Sequence, residues 1–378
     1  MITIAVKTLR EVMGALMPVV EARNTIPILS TVLLSSGPST VTFTVSDMDI
    51  IMQRQADLAE PGKGQVMALC VDARALNDIA RKLPADAIAT LEPKDGKLLL
   101  KAGRSRFNLP TLAADDFPIM ATGDWDAQFE IPSTDLVALI DSVRFAMSSE
   151  ETRYYLNGIF LHAPGGGDDG QLMAVATDGS RLARFHCDLP DGAESMPDII
   201  VARKTVGVLD KLLDDHAGPV DIAVSASKIR LTFGTIDLTA KLVDGTFPDY
   251  NRAIPTGNST GWWVKPKELA EAVDRVTTIS SDKTRVVKIA LADNVATLSV
   301  HAPDVGEATE EVDCIFEGEP MTIGFNGAYL MDVLRHMEGA DQAHDGHAGA
   351  MLAEASSPSL WRDSEDSRRL YVLMPFRV

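Results

Sequence analysis

With 378 residues, 46% of them hydrophobic and 24% charged, the chain is too long for one hydrophobic core and suits two or three domains of an ordinary globular protein. No apolar run approaches the roughly 18–20 residues of a membrane span, and Met1-Ile2-Thr3-Ile4-Ala5-Val6 reads as a strand and not as a signal. A net charge of −19 argues, as an average, against a nucleic-acid partner, and the widely separated Cys70, Cys187 and Cys314 show neither disulfide nor zinc spacing, as expected of buried structural thiols in a reducing cytoplasm.

In chain order, helix-like windows fall at 8–19, 73–83, 133–144, 203–213, 265–276 and 326–337. Between them lie alternating strands: Val41–Val45, Leu98–Lys101, Ile222–Ser225, Ile229–Phe233 and Val295–Val300. Turn signals include Lys94-Asp95-Gly96-Lys97 and Ala292-Asp293-Asn294. Phe129-Glu130-Ile131-Pro132 leads into Ser133 as an N-cap, with Asp135 in the first turn, and Trp262-Trp263-Val264-Lys265 leads into Pro266 at a helix start. The glycine run 165–170 lacks Gly-Lys-Ser/Thr and a following helix, so it reads as a hairpin loop rather than a phosphate loop. Met337–Ser359 reads as irregular. The apolar tail Leu370–Val378 must dock, since chain ends are usually polar and frayed.

These elements repeat. Leu9-Arg10-Glu11-Val12 returns 127 residues later as Leu136-Val137-Ala138-Leu139 and again after 133 as Leu269-Ala270-Glu271-Ala272. Phe117-Pro118 returns after 130 residues as Phe247-Pro248, and Val71-Asp72-Ala73-Arg74 is answered by Val201-Ala202-Arg203-Lys204. A repeat of this length is a whole domain, not a solenoid unit. Each copy reads as two helices on antiparallel sheet, an α+β architecture, with domains at 1–127, 128–256 and 257–378. Charge divides unevenly: the six helical windows hold 12 basic against 9 acidic residues, and the rest of the chain 23 against 45. The acid therefore belongs to strands and loops.

Enzyme spellings weigh little. Ser225-Ala226-Ser227-Lys228 and Ser280-Ser281-Asp282-Lys283 match Ser-x-x-Lys, but the first sits between strand residues as a hairpin turn, and no Lys-Thr-Gly partner exists. In Thr177-Asp178-Gly179-Ser180-Arg181 the Asp-Gly suits a tight turn. His336, His344 and His347 with Asp341 and Asp345 match no standard metal spacing, and Asp47-Met48-Asp49 reads as a turn. No cofactor or catalytic constellation is expected. Binding features are stronger: Arg153-Tyr154-Tyr155 resembles a stacking platform for single-stranded nucleic acid, and the Met and Phe of the tail suit a peptide groove.

Tyr371-Val372-Leu373-Met374-Pro375-Phe376-Arg377 resembles the closing signature of the bacterial DNA polymerase III beta subunits, the sliding clamps. Also similar are Thr25-Ile26-Pro27-Ile28-Leu29, Gly103-Arg104-Ser105-Arg106-Phe107, Arg153-Tyr154-Tyr155-Leu156-Asn157-Gly158, Ala176-Thr177-Asp178-Gly179-Ser180-Arg181-Leu182, Lys241-Leu242-Val243-Asp244-Gly245 and Phe247-Pro248-Asp249-Tyr250. The resemblance implies a non-enzymatic processivity factor of the bacterial cytoplasm: a head-to-tail homodimer of six domains whose helices line a hole around duplex DNA. The charge split fits such a ring, because weak, sequence-independent attraction permits sliding.

The resemblance implies that Arg23 and Arg74 touch the DNA backbone and that Tyr154 and Tyr155 meet template single strand at a primer–template junction. Arg203 and Lys204 are added because they start a hole-lining helix. Glu150 stands where a family member can use a neutral amide for DNA contact, and an acid there is expected to repel phosphate. The implied partner groove holds Leu156, Thr177, Gly179, Ser180, Arg181, Leu182, Pro248, Arg252, Ala253, Val372, Met374, Pro375, Phe376 and Arg377. It would accept Leu and Phe anchors of short peptides from the replicative polymerase, the clamp loader and other proteins. Ser180 replaces a frequent histidine and Phe376 a methionine, so peptide ranking is expected to change. Phe107, on a presumed edge strand, with Thr278 and Ile279 would form the subunit seam. A hydrolase using Ser225 and Lys228, or a scaffold that never holds DNA, are the competing readings.

Overall fold

The computed structural model describes residues 1–21, 24–60, 67–120, 123–167, 170–214, 216–280, 285–337, 348–362 and 366–378. One order of elements, strand, helix, four strands, helix, three strands, occurs three times. The first copy runs β1 (Ile2–Ala5), α1 (Val6–Leu16), β2 (Thr31–Ser36), β3 (Thr40–Ser46), β4 (Ile50–Asp57), β5 (Ala68–Asp72), α2 (Ala73–Lys82), β6 (Ile88–Lys94), β7 (Lys97–Ala102) and β8 (Ser105–Leu112). The second runs β9 (Ala127–Pro132), α3 (Ser133–Asp141), β10 (Gly158–His162), β11 (Gln171–Thr177), β12 (Arg181–Asp188), β13 (Ile199–Ala202), α4 (Arg203–Leu213), β14 (Pro219–Val224), β15 (Lys228–Phe233) and β16 (Ile236–Lys241). The third runs β17 (Thr260–Val264), α5 (Pro266–Thr277), β18 (Val286–Ala292), β19 (Val295–Ala302), β20 (Gly306–Phe316), β21 (Met321–Asn326), α6 (Gly327–Arg335), β22 (Ala348–Leu352), β23 (Ser359–Arg362) and β24 (Arg369–Leu373). Every expected helical window contains a helix.

Local chemistry sets these boundaries. Asp72 caps α2 by accepting from Ala75 N–H at 2.7 Å, and Asn326 caps α6 by accepting from Ala328 and Tyr329 N–H. Arg10 on α1 donates to the carbonyls of Ala80, Arg81 and Leu83, satisfying the end of α2 that its own helix cannot. Asp95 and Gly96 both take positive φ, as do Asp293 and Asn294, the geometry that two-residue hairpins require. Leu9, Val12, Met13 and Leu16 form the buried stripe of α1; Leu269, Ala272, Val273 and Val276 form that of α5.

The strands form two antiparallel sheets of twelve, ordered β1-β6-β7-β8-β5-β2-β3-β4-β16-β15-β14-β9 and β13-β10-β11-β12-β24-β23-β22-β17-β20-β19-β18-β21. Within each repeat the first strand pairs with the sixth, which is followed in the sheet by the seventh and eighth, and the fifth pairs with the second, which is followed by the third and fourth; β5 also touches β8, and β17 touches β20. The fourth strand of one repeat then pairs with the eighth of the next: β4 with β16 through Met52↔Leu238, and β12 with β24 through Leu182↔Val372. By contact density the chain divides into two compact units, each holding one sheet, that cut across the repeats: Met1–Leu136, Pro190–Pro197 and Lys204–Leu242 in one, Val137–Leu189, Asp198–Arg203 and Val243–Val378 in the other. Each junction between repeats spans five residue pairs, as do β17–β22 and β2–β5 within them.

The stretch Met337–Ser359 departs from expectation. Residues 338–347 lie outside the described residues, but Ala348–Leu352 is a regular strand between β17 and β23. Its Ala-Gly-Ala composition follows from packing, not disorder: a Cβ at Gly349 would collide with the Trp263 ring. All three cysteines are buried and none is in a disulfide, and burial pushes the Cys314 thiol up to about 11.

Candidate functional site

The tail strand β24 lies along β12, so Val372 faces Leu182 on a common floor with Leu156, Met173, Val175, Phe247, Tyr250 and Leu360. These side chains are at least nine-tenths buried, yet Met374 and Phe376 beyond the strand end stand 43% exposed. Pro375 is half-buried and Arg377 exposed. Pro248, Arg252 and Ala253 are exposed beside the floor, and Arg252 pairs with Asp249 at 3.1 Å. A buried apolar floor with exposed Met and Phe at its rim is the chemistry of a peptide groove. Met173, Val175, Phe247, Tyr250 and Leu360 were missed by residue-level reading; for the first two the continuous apolar run Leu172–Ala176 of β11 was the available signal.

The groove's turn is built by Asp178, which accepts from Ser180 N–H at 2.9 Å and Arg181 N–H at 3.1 Å, while Met374 N–H donates to Ser180 O at 2.9 Å. Gly179 adopts φ +90°, and a Cβ there would lie 2.7 Å from Arg153 Nη1. Thr177 Oγ1 donates to Arg181 O at 2.7 Å and accepts from Gly179 N–H at 3.1 Å. Arg181, placed in the groove by the resemblance, does not offer its charge outward. Its Nε reaches Asp178, Nη1 reaches Asp332, Nη2 reaches Phe145 O, and its carbon centre lies 4.2 Å from the Tyr329 ring centroid. The side chain is a strut within the groove wall.

Tyr154 is 53% exposed and meets the half-buried Tyr155 edge-on, with centroids 5.8 Å apart. Gly245 packs close to both: a Cβ there would lie 3.0 Å from Tyr155 Cβ and 3.4 Å from Tyr154 Cε2. Glu150 grips Arg153 with both carboxylate oxygens, at 2.8 and 2.6 Å. That hydrogen-bonded pairing holds the Glu150 carboxyl below its ordinary range.

Arg23 lies outside the described residues. Arg74 opens α2, exposed and without an ion-pair partner among the described residues. Arg203 and Lys204 open α4, but neither presents a bare charge. Arg203 donates to Ser148 O at 2.7 Å and to Met147 O; Lys204 pairs with Glu21 at 3.1 Å and with Asp47. Burial depresses the Lys204 amine, and the hydrogen bonds to Asp47 and Glu21 more than offset it, leaving a net rise. Helix-charge counting missed these partners because they come from residues far away in sequence.

Phe107 lies on β8, which pairs with β7 over Ser105–Pro110 and reaches β5 through Thr111 and Leu112, so among the described strands β8 has no second neighbour at Phe107. β20 is likewise open along Gly306–Asp313, where β19 is its sole neighbour among the described strands. Arg106 lies on β8 and Arg104 in the turn just before it; β20 carries Glu307 and Glu311. Thr278 ends α5 with Oγ1 donating to Asp274 O at 3.0 Å, and Ile279 follows half-buried.

Ser225 Oγ accepts from Lys228 N–H at 3.2 Å within the β14–β15 hairpin, so the hydroxyl is spent on the turn. Residues 281–284, and His344, His347, Asp341 and Asp345, lie outside the described residues; among the described residues no three metal-binding side chains gather. Asp47 likewise makes a turn, accepting from Asp49 and Ile50 N–H.

Family models for the DNA polymerase III beta subunit match three successive segments: the N-terminal domain at residues 1–121, the central domain at 130–249 and the C-terminal domain at 251–377. The chain belongs to the DNA polymerase III beta subunit family. It is 42% identical to the beta sliding clamp of Caulobacter vibrioides with all of both chains covered, and 33% identical to that of Escherichia coli with 98% of this chain and 97% of the relative covered. Among solved structures, the sliding clamp of Bartonella birtlesii bound to griselimycin superposes with a TM-score of 0.93 at 38% identity, covering 100% of this chain and 99% of that one. The Caulobacter crescentus clamp with PEG bound to its putative beta-motif tethering region gives 0.92 at 41%, covering 100% and 98%. As a member of this family, the chain is a DNA sliding clamp, a non-catalytic processivity factor of DNA polymerase III. The Ser-x-x-Lys hydrolase reading is thereby set aside, as is a scaffold that never holds DNA.

Proposed function

We propose that two copies of this chain close head to tail into a ring around duplex DNA, with clamp domains at 1–127, 128–256 and 257–378. The observation that carries this is the strand-pairing rule between repeats. The fourth strand of one repeat joins the eighth of the next at both internal junctions, β4 to β16 and β12 to β24. Among the described strands the rule leaves one fourth strand, β20, and one eighth strand, β8, each with an open edge. An exposed edge is a site for pairing with another chain, and a heterologous contact that closes after two copies hides both. Arg104 and Arg106 opposite Glu307 and Glu311 give the seam complementary charge, with Phe107, Thr278 and Ile279 as its further contacts.

The near-neutral helices then face phosphate without gripping it, so the ring slides on any sequence. Arg23 and Arg74 make backbone contacts, and Tyr154 and Tyr155 meet single strand at a primer–template junction. Arg203 and Lys204, held by Met147, Ser148, Glu21 and Asp47, shape the helix start more than they contact DNA. The groove floored by Leu156, Leu182 and Val372 takes Leu- and Phe-containing peptides of the replicative polymerase, the clamp loader and other cytoplasmic partners. The Bartonella clamp's complex with griselimycin and the Caulobacter clamp's bound PEG support a ligand-accepting surface on such proteins.

Protein loaded onto nicked circular DNA should survive a high-salt wash and leave once the circle is linearised; equal loss before and after linearisation would reject topological linkage. The mass in solution should be near twice 40.7 kDa. Met374→Ala should weaken a polymerase tail peptide by about tenfold, as expected for truncating an interface anchor; unchanged affinity would refute the groove assignment.

A further inference from the structure

Glu150 occupies the two-pronged edge of the Arg153 guanidinium, with Nε to Oε2 at 2.8 Å and Nη2 to Oε1 at 2.6 Å. That is the edge through which arginine grips a phosphate with two parallel hydrogen bonds. The backbone of Glu150 is secured separately: its N–H donates to Ser148 Oγ at 3.1 Å, and its carbonyl accepts from Arg153 N–H at 3.2 Å and Asn157 Nδ2 at 3.1 Å. The carboxylate is 57% exposed and Arg153's side chain 37%. An exposed pair of this kind contributes little to stability and exchanges readily for a competing anion.

The surroundings specify the anion. The neighbouring Tyr154 is 53% exposed and is met edge-on by Tyr155. The remaining prong, Nη1, lies against Gly179, and the Arg153 backbone breaks from helical geometry at φ −112°, ψ 50°. The guanidinium is thereby held between Glu150 and Gly179, on the residue preceding the exposed tyrosine. A base stacked on an aromatic ring next to a cation holding the adjoining phosphate is how single strands are bound without sequence preference.

We propose that Glu150 is a latch on Arg153: its carboxylate stands in for a phosphodiester until single-stranded DNA displaces it, the phosphate taking the fork and the base taking Tyr154. This rests on the clamp reading, since a sliding ring gains from masking a bidentate phosphate grip wherever no single strand is present. Glu150 thus does more than repel phosphate; it governs whether Arg153 is available.

The test is fluorescence anisotropy of a labelled oligothymidylate with the full-length chain across a salt series. Glu150→Gln keeps the backbone bonds and frees the fork. It should tighten binding about three- to tenfold and steepen the log–log salt slope by about 0.7, one extra single-strand phosphate. Glu150→Gln/Arg153→Gln should show neither gain. The latch is refuted if Glu150→Gln binds as wild type, or if the double variant gains equally, which would reflect only the loss of an acid. A gain for a Leu/Phe peptide without one for the oligonucleotide also refutes it, by assigning the fork to the peptide. Retention on nicked circles, measured on the same proteins, separates the two levels. Retention without an affinity gain rejects the latch alone, and loss of retention in wild type rejects the clamp reading and the latch with it.

Discussion

Arg181 Nη1 donates to Asp332 Oδ2 at 2.6 Å, joining a strand and a helix 151 residues apart in sequence. With Asp178 on Nε and Phe145 O on Nη2, three nitrogens of a side chain that is only 10% exposed are satisfied internally. The arginine fork suits this three-way role; an ammonium point charge does not.

Arg181→Met and Arg181→Lys should therefore both destabilise the groove-bearing unit, Met by about 2–4 kcal/mol because Asp178 and Asp332 lose their shared partner. Urea unfolding followed by tryptophan fluorescence measures this. A lysine variant as stable as wild type would show that the fork geometry is unimportant.

The seam can be probed by charge. Arg106→Glu should raise the dimer dissociation constant about tenfold or more by placing like charges along β8 and β20. Combining it with Glu311→Arg should recover much of the loss. Sedimentation equilibrium reads both, and an unchanged dimer in the single variant would move the seam elsewhere.

Gly349→Val should be poorly tolerated, since the added carbons meet the Trp263 ring on the adjacent strand. Overpacking of this kind costs about 1–3 kcal/mol. A companion Trp263→Ala substitution should restore part of the lost stability by making room, whereas a loss due to strand propensity alone would persist.

Acid should weaken the same unit through His162. Burial lowers its pKa from the ordinary 6.5, with Asp198 opposing. Its ring stacks on Phe160 at 4.5 Å, and Nε2 lies 3.1 Å from the Tyr250 hydroxyl, which donates to Met173 Sδ. Because the folded pKa is depressed, the contribution is present above 6.5 and lost as pH falls through the lower folded value. The urea midpoint should drop between pH 6.5 and 5 more steeply in wild type than in His162→Gln; parallel slopes would exonerate this histidine.

The platform and the tail side of the groove were legible as motifs because those residues are contiguous, in Arg153-Tyr154-Tyr155-Leu156 and Tyr371–Arg377; the rest of the groove floor is gathered from distant strands. What each charge does was not legible. Glu150 against Arg153, Lys204 against Asp47 and Arg181 against Asp332 are outcomes of distance, and composition records charge without saying where it is neutralised. β22 was misread for the same reason, its small residues answering to a tryptophan on another strand.

By itself, the sequence determined the threefold repeat, the six helices, the turns at Asp95-Gly96 and Asp178-Gly179, and the family, because hydrophobic period and turn stereochemistry are local properties. The tertiary structure decided which strand edges are paired and which stay open, and which cations remain available for phosphate. Both depend on hydrogen bonds and ion pairs between residues that only folding brings within 3 Å or so of each other.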